Sequence, residues 1–208
     1  VSLSPIFPWS YEVKDEEEDN MIEIEVSPQQ VIEAKNEVKA FDAQKTHNKG
    51  DWKGNWKGPL GETLMDSWLN SFSNLHYEAI PFIKRDWSQP DYRLHTHLEV
   101  GQVVAVDVKT TTHYANWTQS PKHDIYVWSQ LKGNPNNPHT LVLKGWMGKQ
   151  KMDALMAEAK KNNWTEQTTQ NGCYKVEREM WGRMRTDWCF TDAALESMDD
   201  FVESILAC

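Results

Sequence analysis

Apolar residues fall at two different spacings along this chain, and the spacing changes separate its expected elements. "MIEIEVS" (21–27) alternates apolar and acidic residues, as a short edge strand does. Ser27-Pro28 then supplies a helix cap and first-turn proline. Val31, Ala34, Val38 and Phe41 form one stripe along "PQQVIEAKNEVKAFDAQ". A second helix is expected from Pro59, because Leu60, Leu64, Trp68 and Phe72 step by four. The pattern next shortens to strands: "HYEAIPFI", then a hairpin over "PDYRLHTHLEVGQVVAVDVKTT", then "DIYVWSQLK" and "HTLVLKGWM" on either side of "GNPNNP". "KQKMDALMAEAKK" is an amphipathic helix, "CYKVEREM" a short strand, and "TDAALESMDDFVESIL" a capped C-terminal helix. Helices, then strands, then helices predict an α/β fold with a central mixed β-sheet flanked by helices.

The segment 103–111, "VVAVDVKTT", sharpens this picture. Alternation puts Val104, Val106 and Val108 on one face and Val103, Ala105, Asp107 and Lys109 on the other. Both faces are apolar along most of the strand, so it is expected at the centre of the sheet. Asp107 and Lys109 then lie together near its end, where charged groups are costly unless partnered or bound to a ligand. The hairpin brings Pro90-Asp91 alongside. Two neighbouring carboxylates repel each other and favour a shared proton or a hard divalent cation, Mg²⁺ or Mn²⁺. Glu62, in the preceding helix, is expected at the rim of the same place.

Charge is uneven. The net charge is −9, but residues 12–25 hold eight acids and one lysine, leaving about −2 for the remainder. Residues 1–20 are expected to be a flexible acidic arm and 21–208 a single domain. The arm could alternatively mimic a polyanion and occupy a partner's basic groove. By contrast the loop 45–58 carries Lys45, Lys49, Lys53 and Lys57 with one acid, interleaved with Trp52 and Trp56. Lysines can neutralise phosphates and tryptophans can stack on bases, so this loop is a candidate nucleic-acid contact. A basic run, Lys175, Arg178, Arg183 and Arg185, is expected to be mainly a solvated face. Three cysteines without a CxxC pair argue against a disulfide framework or structural zinc. His95, His97, His113 and His123 lack the spacing of a known zinc site. No apolar run is long enough to span a membrane, and the first residues do not read as a signal peptide, so a cytoplasmic setting is expected.

Glu62, Pro90-Asp91 and Asp107-Val108-Lys109 together resemble the PD-(D/E)XK nuclease superfamily over roughly residues 28–148, with small phage-type members similar in layout. The resemblance implies a restriction-endonuclease-like fold and a Mg²⁺-dependent deoxyribonuclease, an endonuclease in the first instance, with an exonuclease and a junction resolvase left open. It implies that Asp91, Asp107 and the Val108 carbonyl hold the metal, that Glu62 completes the site directly or through water, and that Lys109 positions or activates the attacking water. DNA would be the partner of a monomer or homodimer, in a host cytoplasm if the chain is phage-encoded. The alternatives are an inactive nucleic-acid-binding module of the same fold and an interaction protein acting through its acidic arm.

Overall fold

In a computed structural model of the 208-residue chain, residues 21–44, 56–82, 88–96, 103–113, 116–180 and 183–206 are described. The expected arm at 1–20 lies outside them. The chain opens with β1 (Ile22–Glu25) and α1 (Pro28–Gln44). Ser27 and Gln30 form a reciprocal cap. The Gln30 N–H donates to Ser27 Oγ at 3.3 Å, and the Ser27 N–H donates to Gln30 Oε1 at 2.9 Å. Next come α2 (Lys57–Leu69), β2 (His76–Ala79), β3 (Tyr92–His95), β4 (Val103–Thr111) and β5 (Asn116–Thr118). The remaining elements are β6 (Ile125–Asn134), β7 (Asn137–Gly148), α3 (Lys149–Asn162), β8 (Cys173–Met180), β9 (Arg183–Phe190) and α4 (Phe201–Leu206).

Six strands form a mixed sheet in the order β1-β7-β6-β4-β3-β2. Neighbours pair antiparallel except β4 and β6, which run parallel. Alternation along the central strands feeds two cores. Val106, Val108, Val127, Leu141 and Leu143 pack with Leu60 and Leu64 of α2, Val31 and Val38 of α1, and Phe201 of α4. Tyr126, Trp128 and Met147 point the other way, into a second core with Met152 of α3 and with Cys173, Cys189 and Phe190. This coverage of both faces explains why β6 is buried from Ile125 to Leu131 without alternating polar residues.

The second core is closed by a separate three-stranded sheet, β5-β9-β8, that the sequence pattern did not disclose. The polarity of β9 is inverted: Asp187 is 2% exposed, whereas Met184 is 68% exposed. A strand with its acid inside and its methionine outside does not register as an apolar stripe. β5 is only three residues long, too short for any periodicity.

The C-terminal helix is also corrected. Residues 191–206 do not form one helix. A single 3-10 turn at Asp192–Ala194 gives way to extended backbone at Leu195, and α4 begins only at Phe201. The reason lies at the sheet edge. β1 pairs with β7 only as far as Leu143, so the outward backbone groups of Trp146 need another partner. Glu196 supplies it: Trp146 N–H donates to Glu196 C=O at 3.0 Å, and Glu196 N–H donates back at 2.8 Å.

Cys173 and Cys189 are buried free thiols. Burial pushes the Cys173 thiol up to about 12 and raises Cys189 as well. The folded state holds these protons more tightly than the unfolded chain, so stability falls as pH rises from about 9 toward about 12. Iodoacetamide at pH 8 is expected to leave both thiols unlabelled in the native protein and to label both in urea, read by peptide mass spectrometry.

Candidate active site

The site begins where β3 does. The β3–β4 register pairs Tyr92 with Val106, which sets Asp91 next to Asp107 on the neighbouring strand. Asp91 is fixed on both sides: its N–H donates to Val106 C=O at 3.0 Å, and its own C=O accepts from Ile80 N–H at 2.9 Å. Its carboxylate Oδ2 accepts the Val108 N–H at 2.5 Å, where β3 no longer supplies a backbone acceptor. Asp91 and Asp107 are only 5% and 8% exposed.

Asp107 stands opposite Tyr126 of β6, on the face turned toward the small sheet. Its carboxylate forms an ion pair with Lys109, two residues along the same face, as the alternation predicts. The Lys109 ammonium also lies 5.6 Å from the centre of the Tyr126 ring. Asp107 Oδ2 is fully buried, and although it meets Lys109 as an ion pair it makes no aligned hydrogen bond. The Lys109 ammonium offsets its charge, and the oxygen without an aligned donor keeps bonding capacity for a ligand.

Glu62 arrives from α2. That helix sits unusually close to β4 because Gly61 has no side chain: a Cβ there would lie 1.8 Å from Thr110 Oγ1. The Tyr92 hydroxyl donates to the Glu62 carbonyl, tying the helix to β3 as well. Gly61→Ala is therefore expected to push α2 off the sheet and to cost about 1–3 kcal/mol, measured by urea denaturation.

One cavity of about 590 Å³ is lined by Glu62, Asp91, Asp107, Val108 and Lys109 together. The structure thus gathers all five residues singled out in the sequence. Among the described residues, however, no three His, Cys, Asp or Glu side chains are grouped so as to hold one metal ion. The three acids share a cavity without forming a preassembled three-carboxylate cluster.

In the cavity wall, Tyr126 and Asp187 escaped the sequence reading, and His123 and Arg185 were not expected there. His123 comes just before β6 and Tyr126 from its start, and Trp117, Arg185 and Asp187 come from the small sheet. His123 is 8% exposed, and burial holds its imidazole below the ordinary range despite the opposing pull of Asp107. Burial raises the Tyr126 phenol. The Tyr126 hydroxyl accepts the Lys122 N–H at 2.8 Å. Arg185 Nε lies 3.2 Å from Asp187 Oδ1, so this arginine is not the solvated residue expected. The signal that could have found His123 is the parallel β4–β6 pairing, which sets the start of β6 beside Asp107.

The lysine-rich loop divides differently. Lys45, Lys49, Trp52 and Lys53 lie outside the described residues. Lys57 Nζ donates to Thr112 Oγ1 at 3.3 Å, near the end of β4. Trp56 is corrected: it is 5% exposed in the main core, with the Lys35 ammonium 4.7 Å from its ring centre, so it offers no face for stacking. His95 and His113 are exposed and line no part of the cavity; His97 is outside the described residues. Lys175 is paired with Glu177, and the side chains of Arg178 and Arg183 are outside the described set.

Among the described residues no helix is long and apolar enough to cross a membrane. No protein-family model matches this chain, and neither a curated protein nor a solved structure matches it.

Proposed function

We propose that this protein is a metal-dependent nuclease that hydrolyses DNA phosphodiester bonds at a PD-(D/E)XK-type site. The observation that carries the reading is the pair of nearly buried carboxylates, Asp91 and Asp107, beside Lys109 in one cavity, with one Asp107 oxygen lacking an aligned hydrogen bond. A restriction-endonuclease-like core is the finer form of this fold. Its support is the antiparallel run β2-β3-β4 followed by parallel β6, which sets Asp107-Val108-Lys109 on a central strand. The crossover from β4 to β6 carries β5 among its described elements.

Hard oxygen donors suit Mg²⁺ or Mn²⁺, and the Asp107 oxygen that lacks an aligned hydrogen bond could take such an ion in exchange for Lys109. Asp91 and Asp107 would hold it with the Val108 carbonyl and water, and Glu62 would complete the site directly or through water. Bound there, the ion supplies Lewis acidity and lowers the pKa of its water. Lys109 is placed to meet a phosphate oxygen with its ammonium, and its release from Asp107 would turn a salt bridge into a substrate contact. Lys57, beside Thr112, extends positive charge along the end of β4.

The test is cleavage of plasmid, linear and branched DNA, and of RNA, with Mg²⁺, Mn²⁺ or EDTA. Cutting of DNA that requires the metal and disappears in Lys109→Ala is the expected result. The Asp107–Lys109 ion pair is the observation that favours the inactive binding module, since it satisfies both charges without any ligand. DNA binding without cutting under every metal condition would establish that module instead.

A further inference from the structure

His123 is a buried imidazole in this cavity that the proposed chemistry leaves unused. It is 92% buried by its 8% exposure and lines the cavity with Asp107 and Lys109. Its hydrogen bonding among the described residues is confined to the backbone, whose N–H reaches Tyr126 Oη at 3.4 Å. The ring itself only packs on Tyr126, with centroids 6.2 Å apart. No described residue hydrogen-bonds its ring nitrogens, and these are not among the fully buried unpartnered atoms, so they keep some access to solvent. The charges of Asp107, Lys109, Lys122 and Asp124 all act on it.

Hydrolysis needs a group that takes a proton from the attacking water. Lys109 is poorly suited, since an ammonium paired with Asp107 has no lone pair to offer. An imidazole nitrogen has one. The Lys109 ammonium lies 5.6 Å and the His123 ring 6.2 Å from the centre of the Tyr126 ring, and all three line the same cavity.

We infer that His123 is the catalytic base, taking the proton from the water that attacks the scissile phosphate; this rests on the nuclease reading above. The water oxygen forms a bond to phosphorus as the bond to the leaving sugar oxygen breaks. The water's proton passes to a ring nitrogen of His123 and then to solvent, and the leaving oxygen takes a proton from solvent. Lys109 remains an ammonium throughout and stabilises charge on the phosphate.

The experiment uses the full chain with Mg²⁺ and an end-labelled DNA oligonucleotide, comparing wild type, His123→Ala, His123→Gln and Lys109→Ala with and without free imidazole. His123→Ala is expected to lower kcat by about 10²–10⁴-fold with KM nearly unchanged. Free imidazole is expected to restore roughly tenfold or more of that loss in His123→Ala and nothing in Lys109→Ala. His123→Gln, which keeps a hydrogen-bonding group but cannot accept the proton, should stay as impaired as His123→Ala. A cutting wild type whose His123→Ala variant keeps its rate, whose His123→Gln variant recovers it, or whose loss imidazole does not repair would overturn the assignment while leaving the nuclease standing. A wild type that cuts no DNA with any metal would instead remove the nuclease reading and this inference with it.

Discussion

Asp107→Asn is expected to lower the rate of DNA cleavage by at least about 10³-fold while leaving the fold intact. The substitution keeps the shape of the side chain and removes its charge. Each tenfold in rate corresponds to about 1.4 kcal/mol, and losing one anionic ligand of a catalytic cation costs several kcal/mol of charge stabilisation, which sets the figure. The fold survives because Lys109 keeps 41% of its side chain exposed and can be solvated once its partner is neutral. The change also relieves repulsion between adjacent carboxylates in a buried setting. Single-turnover cleavage rates with matched thermal unfolding curves check both halves. A variant that keeps more than about a tenth of the wild-type rate would show that Asp107 is not where the cation acts.

The largest loss of stability is expected from Asp192→Ala, far from the acids. Lys144 is 2% exposed at its side chain and lies on β7 at an irregularity in the β6–β7 ladder, between Leu143 and Gly145. Its ammonium meets Asp192 Oδ1 at 2.5 Å. The same oxygen accepts from Asn116 Nδ2 at 2.6 Å, and that amide also donates to Phe190 C=O at 3.0 Å. One carboxylate thus joins the large sheet, the small sheet and the turn after β9. Removing it takes the Asp192 charge away from a buried ammonium, and breaking a buried ion pair in this way costs up to about 3–5 kcal/mol. Lys144→Ala should cost less, because Asp192 is 37% exposed and water can replace its partner. Combining Lys144→Met with Asp192→Ala should recover much of the loss, since a well-packed apolar side chain in place of a buried ion pair is often neutral. Urea denaturation of Asp192→Ala, Lys144→Met and the double variant measures the cycle, with Lys144→Ala alongside. Additive losses in the double variant would show that the two residues act independently.

Much of the site was legible because it depends on local rules. Strand alternation alone puts Asp107 and Lys109 on one face and Val106 and Val108 on the other, and the structure has them so, with the valines in the main core. The hairpin needed only its turn to set Asp91 beside Asp107. Ser27, legible as a cap, stands at the start of α1, and the structure adds Gln30 as its reciprocal partner. What stayed hidden depends on tertiary partners. Asp187 and Arg185 pair with each other along one face of β9 and line the cavity, so β9 shows the wrong polarity to a periodicity count. Trp56 follows a glycine-rich stretch that reads as an exposed loop, yet it is drawn into the core at the start of α2. The C-terminal segment has good helix residues, but the unpaired edge of β7 takes Glu196 into an extended bridge.

The whole account turns on Asp91 and Asp107 sharing a divalent cation. Crystals soaked in Mn²⁺ and measured at the manganese edge test it directly. The expected result is one anomalous peak about 2 Å from a carboxylate oxygen of each aspartate, with Lys109 displaced from Asp107. A fully soaked crystal with no peak there and the Asp107–Lys109 ion pair intact would contradict it.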